Sequence, residues 1–423
     1  MRQKVAIASA EAIDPEIYVM DEPSANLDIA STYRFADIIR DLKQQGKTII
    51  IAEHRLYYLM DLADRFLCVQ KGKIVREFTA QQMKALTNKE IQALGLRTPD
   101  LHQIEQTEIP SAATSEVVLE AKKLNHSFGE TIVAKDIDFQ CRKGEVIALI
   151  GPNGTGKSTI GRILAGLLKE KSGEVVLFGK HCRPKDRLEK VWYIPQDLDS
   201  QLFGEDLLDE LTTGSEASPE RKQAAEEILE ALELTPFIKQ HPSTLSGGQK
   251  QRLTLGVALI HEAPIIILDE PTVAVDPQSR NKILEGILQL NREGATIIYT
   301  SHYMEEVEQI CTRIAIMDKG SKIAEGTTEE LKRMIKNTET ITAEILQLPE
   351  NVREQIEALE HVYNVSYADN KLVARCTGGR HNLIEILKIL QENQVGFGSV
   401  YSEQPTLNDV FLEITGKALR DKE

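Results

Sequence analysis

The sequence predicts an α/β fold built on a mostly parallel, helix-covered sheet, with a smaller α+β domain behind it. Three observations carry this. Short apolar runs alternate with helical stretches through the second half of the chain. One run, Val146–Ile150, leads straight into a glycine-rich turn and then a helix. The block from residue 1 to about 79 also repeats, without a gap, 248 residues further on.

Size and composition set the bounds. A chain of 423 residues with 41% hydrophobic content has material for two or three domains with real cores. The formal net charge of −15 argues against a nucleic-acid binder, which needs a basic surface. Cys68, Cys141, Cys182, Cys311 and Cys376 lie far apart. They read as scattered thiols of a reducing, cytoplasmic compartment, neither a disulfide frame nor a zinc site. No run approaches the roughly 20 apolar residues of a membrane span, and no secretory signal is present.

The repeat organises the N-terminal part. Asp21-Glu-Pro23 falls on Asp269-Glu-Pro271, Asp28 on Asp276, Gly46 on Gly294, and Thr48-Ile-Ile50 on Thr296-Ile-Ile298. His54 falls on His302, Arg65 on Arg313, and Lys71-Gly72 on Lys319-Gly320. Met1 corresponds to Gln249, so the first copy has nothing matching the glycine-rich turn. What remains reads as a helix (Arg2–Ala12), a strand (Ile17–Met20), a helix (Ile29–Gln45), a strand (Thr48–Ala52) and a closing helix-strand pair to about Glu77. Helical pieces follow at Gln81–Leu86 and Lys89–Leu94, completing a truncated domain over 1–95. Residues 96–115, with Pro99 and Pro110, read as a linker.

The second copy reads as complete over 116–335. Its strands are Val117–Ala121, Ile137–Cys141, Val146–Ile150, Glu174–Phe178, Val191–Ile194, Ile265–Leu268, Thr296–Thr300 and Ile314–Met317. A third pattern occupies 338–416. It has strands at Thr340–Ile345, Val362–Ala368, Lys371–Cys376 (turning at Asp369-Asn370) and Gly398–Ser402, and helices at Val352–Leu359, Asn382–Gln391 and Leu407–Thr415.

Three segments carry chemistry. The turn contains Gly151, Pro152, Asn153, Gly154, Thr155, Gly156, Lys157, Ser158 and Thr159 and fits G-x-x-x-x-G-K-[ST]. Its glycines turn backbone N–H groups inward as an anion nest, and the helix starting near Lys157 aims its dipole at the same spot. Lys157 reaches the β- and γ-phosphates of a nucleoside triphosphate, and the Ser158 hydroxyl is placed to ligate Mg²⁺. Next, Ile265–Leu268 is a buried strand ending in Asp269 and Glu270, at the sheet edge where α/β folds bind ligands. Asp269 then holds Mg²⁺ and Glu270 polarises the attacking water as general base. Last, Ser246, Gly247, Gly248 and Gln249 open a helix running to about Ile260, a second set of free N–H groups aimed at an anion.

The glycine-rich loop, Leu245-Ser-Gly-Gly-Gln249, Asp269-Glu-Pro271 and His302, in that order, resemble the ATP-binding cassette (ABC) ATPases over 116–335 and again over 1–79. The fold implied is α/β, a P-loop NTPase ABC cassette with a mostly parallel sheet and a helical signature subdomain. A truncated second cassette precedes it and a small α+β domain follows. The resemblance implies ATP and Mg²⁺ as cofactors. It makes Gln196 a glutamine-loop residue touching Mg²⁺ and the membrane partner. Phe128 becomes an adenine-stacking aromatic and His302 a switch histidine contacting the γ-phosphate. In the family ATP is sandwiched between the loop of one cassette and Leu-Ser-Gly-Gly-Gln of another, so a second ABC cassette, as homodimer or heterodimer, and a multi-span membrane permease on a separate chain are implied partners. The location implied is cytoplasmic, on the inner face of the plasma membrane. The loop after Asp269-Glu-Pro271 departs from the family: it reads Thr272-Val-Ala-Val-Asp276, where the first copy keeps Ser24-Ala-Asn-Leu-Asp28.

Pairing the two copies within one chain makes no complete site, whereas pairing the second copies of two chains makes two. The sequence therefore reads as a fragment begun at an internal Met, or as a subunit acting through its second cassette. The branch is mixed. Ala52-Glu-His-Arg55 and Gln196–Phe203 resemble energy-coupling-factor importers of vitamins and metal ions. Asp276-Pro-Gln-Ser279, Ser301-His-Tyr-Met-Glu-Glu306 and Pro405–Phe411 resemble exporters of drugs, polysaccharides or sodium. The alternative is a soluble ABC ATPase acting on ribosomes or DNA. It is disfavoured by the lack of heptads between Gly151 and Leu245 and by the acidic linker.

Overall fold

In a computed structural model of the protein the described residues are 9, 12–25, 27–70, 72–87, 90–91, 94, 96, 114–199, 201–213, 218–273, 275–335, 339–368, 370–377 and 381–416. Most of the expected Arg2–Ala12 helix and of the 96–115 linker, part of Lys89–Leu94, Lys71, and Asp369 of the expected turn lie outside them. The chain divides into two compact units, Met1–Glu325 and Gly326–Glu423.

The first repeat contributes strands β1 (Ile17–Asp21), β2 (Thr48–Ala52), β3 (Arg65–Gln70) and β4 (Lys73–Thr79). The second copy begins with β5 (Val117–Phe128), β6 (Thr131–Arg142), β7 (Val146–Ile150), β8 (Ser172–Leu177), β9 (Lys180–His181) and β10 (Val191–Ile194). It continues with β11 (Ile265–Asp269), β12 (Thr296–Ser301), β13 (Arg313–Asp318) and β14 (Ser321–Gly326). One sheet has the order β10-β11-β12-β7-β13-β14, with β10 through β13 parallel. Strands β7 and β11 are buried at every residue, as continuous apolar runs in a two-sided sheet must be. Helices Lys157–Ala165 and Pro277–Arg292 join these strands.

The sequence reads β5, β6 and β8 as strands of the second copy without assigning their partners. They form a separate antiparallel sheet, β6-β5-β8-β9. The short turn between Phe128 and Thr131 makes a hairpin, and hairpins pair antiparallel. Apolar side chains from this sheet, from β7 and β11, and from the helix Lys157–Ala165 share one core. Helices Leu207–Thr212, Pro219–Ala231 and Gly247–Ile260 pack around a second core centred on Leu207, Leu229 and Leu253.

The repeat holds at the level of elements. Helix Ile29–Gln44 matches Pro277–Arg292 end for end, and the N-cap Asp28 accepts from Ser31 N as Asp276 does from Ser279 N. The β1–β2 register, Ile17 opposite Thr48, repeats in β11–β12 as Ile265 opposite Thr296. The copies differ at the centre. In the second copy β7 is bonded to both β12 and β13, whereas β2 and β3 stand in two separate two-stranded sheets. Ile17, Val19 and Ile50 are accordingly exposed, where their counterparts Ile265, Ile267 and Ile298 are fully buried.

The C-terminal unit carries the antiparallel sheet β16-β17-β15-β18, formed by β15 (Glu339–Ile345), β16 (Val362–Ala368), β17 (Lys371–Cys376) and β18 (Phe397–Glu403). Helices Glu350–Glu357 and Asn382–Glu392 supply Val352, Ile356, Ile386 and Leu390 to its core. The unit also takes in Thr328–Met334, which the sequence assigns to the cassette. That helix packs on Leu407–Ile414.

Candidate nucleotide-hydrolysis site

The turn after β7 is shaped by two glycines. Gly156 sits at φ +98, where a Cβ would come 2.1 Å from Val133 O, and a Cβ on Gly151 would come 2.5 Å from Met317 O. Only glycine fits either place. Thr155 Oγ1 donates to Pro152 O at 2.8 Å and holds the turn tight. Asn153 and Gly154 remain open to solvent. Lys157, 5% exposed, folds back to donate to Gly151 O at 2.9 Å and Pro152 O at 3.3 Å.

The turn meets the carboxylates at the ends of β11 and β12. Asp269 is buried among three hydroxyl donors: Ser158 Oγ at 3.0 Å and Thr300 Oγ1 at 2.7 Å on Oδ1, and Tyr193 at 2.7 Å on Oδ2. Glu270 lies 3.5 Å from Lys157 Nζ through Oε1 and 3.2 Å from His302 Nδ1 through Oε2. Its backbone N–H is held by Thr300 O at 3.1 Å and Oγ1 at 3.0 Å. It occupies the left-handed region at φ +50, a strained place for a non-glycine residue. Burial pushes the Glu270 carboxyl up, but His302 and Lys157 outweigh that and hold it below the ordinary glutamate value. The buried Lys157 side chain and the His302 imidazole thus both lie within 3.5 Å of a carboxylate anionic at neutral pH.

The structure therefore brings together the 151–159 turn, Asp269, Glu270 and His302. It does not bring in the other sequence candidates. Phe128 is exposed at the end of β5 and meets His126 edge-on, ring centres 4.9 Å apart. Gln196 is exposed on the loop after β10. Ser246 and Gln249 form a reciprocal capping box on the helix Gly247–Ile260, and the neighbouring Lys250 is paired with Asp199 at 2.6 Å. The contacts described for this cap include none with the turn. Sequence reading missed Tyr193 and Thr300, which fix Asp269, and Tyr303, which stacks obliquely on His302 with ring centres 4.2 Å apart. A tyrosine inside a buried strand needs a hydroxyl partner, and that was the available signal for Tyr193.

The residues fit a hydrated divalent cation and a polyphosphate. Ser158 Oγ and Asp269 Oδ1 are hard oxygen donors 3.0 Å apart, suited to Mg²⁺. At Gly151 and Gly156 the backbone of the turn approaches its surroundings too closely for a side chain, while Asn153 and Gly154 leave its outer edge open.

Comparison with known proteins agrees with this geometry. The family described as ABC transporter matches residues 134–273, and that described as ATP-binding protein DrrA1-3-like, C-terminal domain, matches 326–415. A putative ABC transporter ATP-binding protein of Treponema denticola is 35% identical over 80% of this chain and 70% of its own length. The linearmycin resistance ATP-binding protein LnrL of Bacillus subtilis is 36% identical over 72% of this chain and 100% of its own. The putative HMP/thiamine import ATP-binding protein YkoD of the same organism is 27% identical over 85% and 72%. The chain belongs to the ABC transporter ATP-binding proteins, the ATPase subunits of membrane transporters. No helix among the described residues is long and apolar enough to cross a membrane.

Proposed function

We propose that the chain hydrolyses ATP at the cluster of Lys157, Ser158, Asp269, Glu270 and His302 and so drives a separate, multi-span membrane permease from the inner face of the plasma membrane. The observation that carries the reading is the convergence of Lys157 and His302 on Glu270 at 3.5 and 3.2 Å, beside the Ser158–Asp269 oxygen pair. Lys157, free to swing from Gly151 O to an anion, takes the β- and γ-phosphates. N–H groups of the turn and of the helix Lys157–Ala165 cradle the same charge. Glu270, ionised at neutral pH, accepts the proton of the attacking water, and His302 orients that carboxylate and meets the γ-phosphate. Ser158 and Asp269 would hold Mg²⁺, which neutralises charge on the phosphates when bound, and Gln196 would reach it only by a movement of its loop. Phe128 offers an exposed ring for adenine.

Ser246, Gly247, Gly248 and Gln249 form the helix start that would face a nucleotide on another cassette, the Gly247 and Gly248 N–H groups meeting it directly while those of Ser246 and Gln249 are held in the capping box. Which cassette is paired bears on the assembly. Tyr303 donates to Ala25 O at 2.9 Å, so the second copy's His302 face is contacted by the first copy of the same chain. The drug-exporter branch is favoured for the transported solute, because the C-terminal match covers 326–415 and the resistance relative is matched over its whole length.

The test is equilibrium binding of ATP to Lys157→Ala. Affinity falls at least about 10-fold if the cation faces the phosphates; an unchanged dissociation constant excludes this turn as the site.

A further inference from the structure

The two repeats meet at a buried arginine. Arg55, the residue after His54, is 4% exposed, and its guanidinium carbon lies 4.7 Å from the ring centre of Tyr303 and 5.3 Å from that of Tyr57. Nη1 donates to Ser24 O at 3.2 Å and Nη2 to the Tyr57 hydroxyl at 3.0 Å. Tyr303 is 1% exposed and is fixed at both ends, its backbone N–H on Ser301 Oγ at 3.0 Å and its hydroxyl on Ala25 O at 2.9 Å. The counterpart of Arg55 in the second copy is Tyr303 itself, so the two copies have diverged at the place where they touch.

The contact matters because of what Tyr303 orients. Its ring is packed obliquely on that of His302, centres 4.2 Å apart and planes at 44°. His302 is buried, and neither ring nitrogen makes a hydrogen bond among the described residues. Nδ1 approaches Glu270 to 3.2 Å but off the line a hydrogen bond needs. Packing against Tyr303 therefore decides how the imidazole sits. A continuous line of contacts runs from Arg55 through Tyr303 and His302 to Glu270.

We propose that Arg55 is a positioning residue for the second repeat's site, its guanidinium on the Tyr303 ring fixing the His302 imidazole against Glu270. This makes the first repeat, which has no phosphate-binding turn among its described residues, a structural part of the hydrolytic site. A desolvated cation over a tyrosine face is among the stronger side-chain contacts, strong enough to hold a ring in one orientation. The inference rests on the hydrolysis reading above, and its test separates the two.

The experiment compares steady-state ATP turnover of the full 423-residue chain with Arg55→Ala, Arg55→Lys, Tyr303→Leu and Glu270→Gln. It also follows the His302 imidazole resonance in protein carrying labelled histidine, assigned with His302→Gln. Arg55→Ala lowers kcat about 10- to 100-fold, as misplacing a reacting group by an ångström does, while KM for ATP stays within about 2-fold because Lys157 is untouched. Arg55→Lys keeps a cation over the ring and recovers kcat to within roughly 5-fold. The His302 resonance moves in Arg55→Ala and returns in Arg55→Lys. Should Arg55→Ala fail to fold, Tyr303→Leu removes the same contact from the other side and carries the same expectation. Wild-type kcat in Arg55→Ala with Glu270→Gln inactive overturns the inference and leaves the hydrolysis reading standing. Wild-type turnover in Glu270→Gln overturns the hydrolysis reading, and the His302 resonance then decides: unmoved in Arg55→Ala, it overturns the inference as well.

Discussion

Glu22 and His54 stand 3.1 Å apart through His54 Nε2, at the places in the first copy that match Glu270 and His302, which approach to 3.2 Å through His302 Nδ1. Glu22 even shares the left-handed backbone, φ +41 against φ +50. The carboxylate–imidazole pair is thus a property of the strand ends β1 and β2, and of β11 and β12. The second copy differs in that its pair is buried and has Lys157 beside it.

The first prediction follows from that difference. Glu22→Gln leaves ATP turnover within about 2-fold of wild type, because among the described residues no phosphate-binding cation faces Glu22. A loss comparable to that of a change at Glu270 would mean that the first copy supplies chemistry of its own. Steady-state turnover decides it.

The second concerns pH. Glu270 is held below the ordinary glutamate value of 4.5, against its own burial, by His302 and Lys157. A depressed carboxylate stays ionised as pH falls until the lowered value is crossed. The acid limb of kcat assigned to this base therefore lies below pH 4.5, and the stability it contributes is present above that value and lost on further acidification. In His302→Gln the limb moves upward, since one of the two groups that hold the carboxyl down is gone. A limb already above neutrality in the wild type contradicts this environment for Glu270.

The third concerns the turn. In Gly156→Ala the new methyl meets Val133 O in a left-handed backbone, so the loop must open. A stability loss of about 1–3 kcal/mol accompanies the loss of ATP affinity. Urea unfolding and nucleotide titration of the same sample check both. Affinity kept with stability lost would separate the loop's shape from its binding.

The fourth lies behind the turn. Arg187 is fully buried, donating to Ile163 O and to Glu170 Oε2, each at 2.6 Å, at the end of the helix that Lys157 begins. Arg187→Ala leaves the largely buried Glu170 without its cation and costs about 3–5 kcal/mol. Denaturation midpoints read it directly; a change under about 0.5 kcal/mol would show the pair to be dispensable.

Much of this was legible in the sequence. The apolar runs Val146–Ile150 and Val191–Ile194 became strands with those same limits, and Leu245-Ser-Gly-Gly-Gln249 became a capped helix start, because each signal is local. Strand β5 runs seven residues past Ala121, since Lys122-Lys123 breaks the alternation and Lys123 adopts φ +46 within an irregular register. The pairing of that sheet was not legible, because hairpin partners are chosen by register and not by composition. Nor was the role of Arg55 or Tyr193. Each depends on a partner far away in the chain, Tyr303 and Asp269, and no short-range pattern announces a tertiary contact.

The most direct test of the account is ATP turnover in Glu270→Gln, measured beside equilibrium ATP binding on the same preparation. Glutamine keeps the size and the hydrogen bonding of Glu270 but cannot take the proton. Turnover falls about 10²–10⁴-fold while the ATP dissociation constant stays within about 3-fold of wild type. Turnover at the wild-type rate with ATP bound would show that the base is another group, and that the convergence of Lys157 and His302 on Glu270 is not the site of hydrolysis.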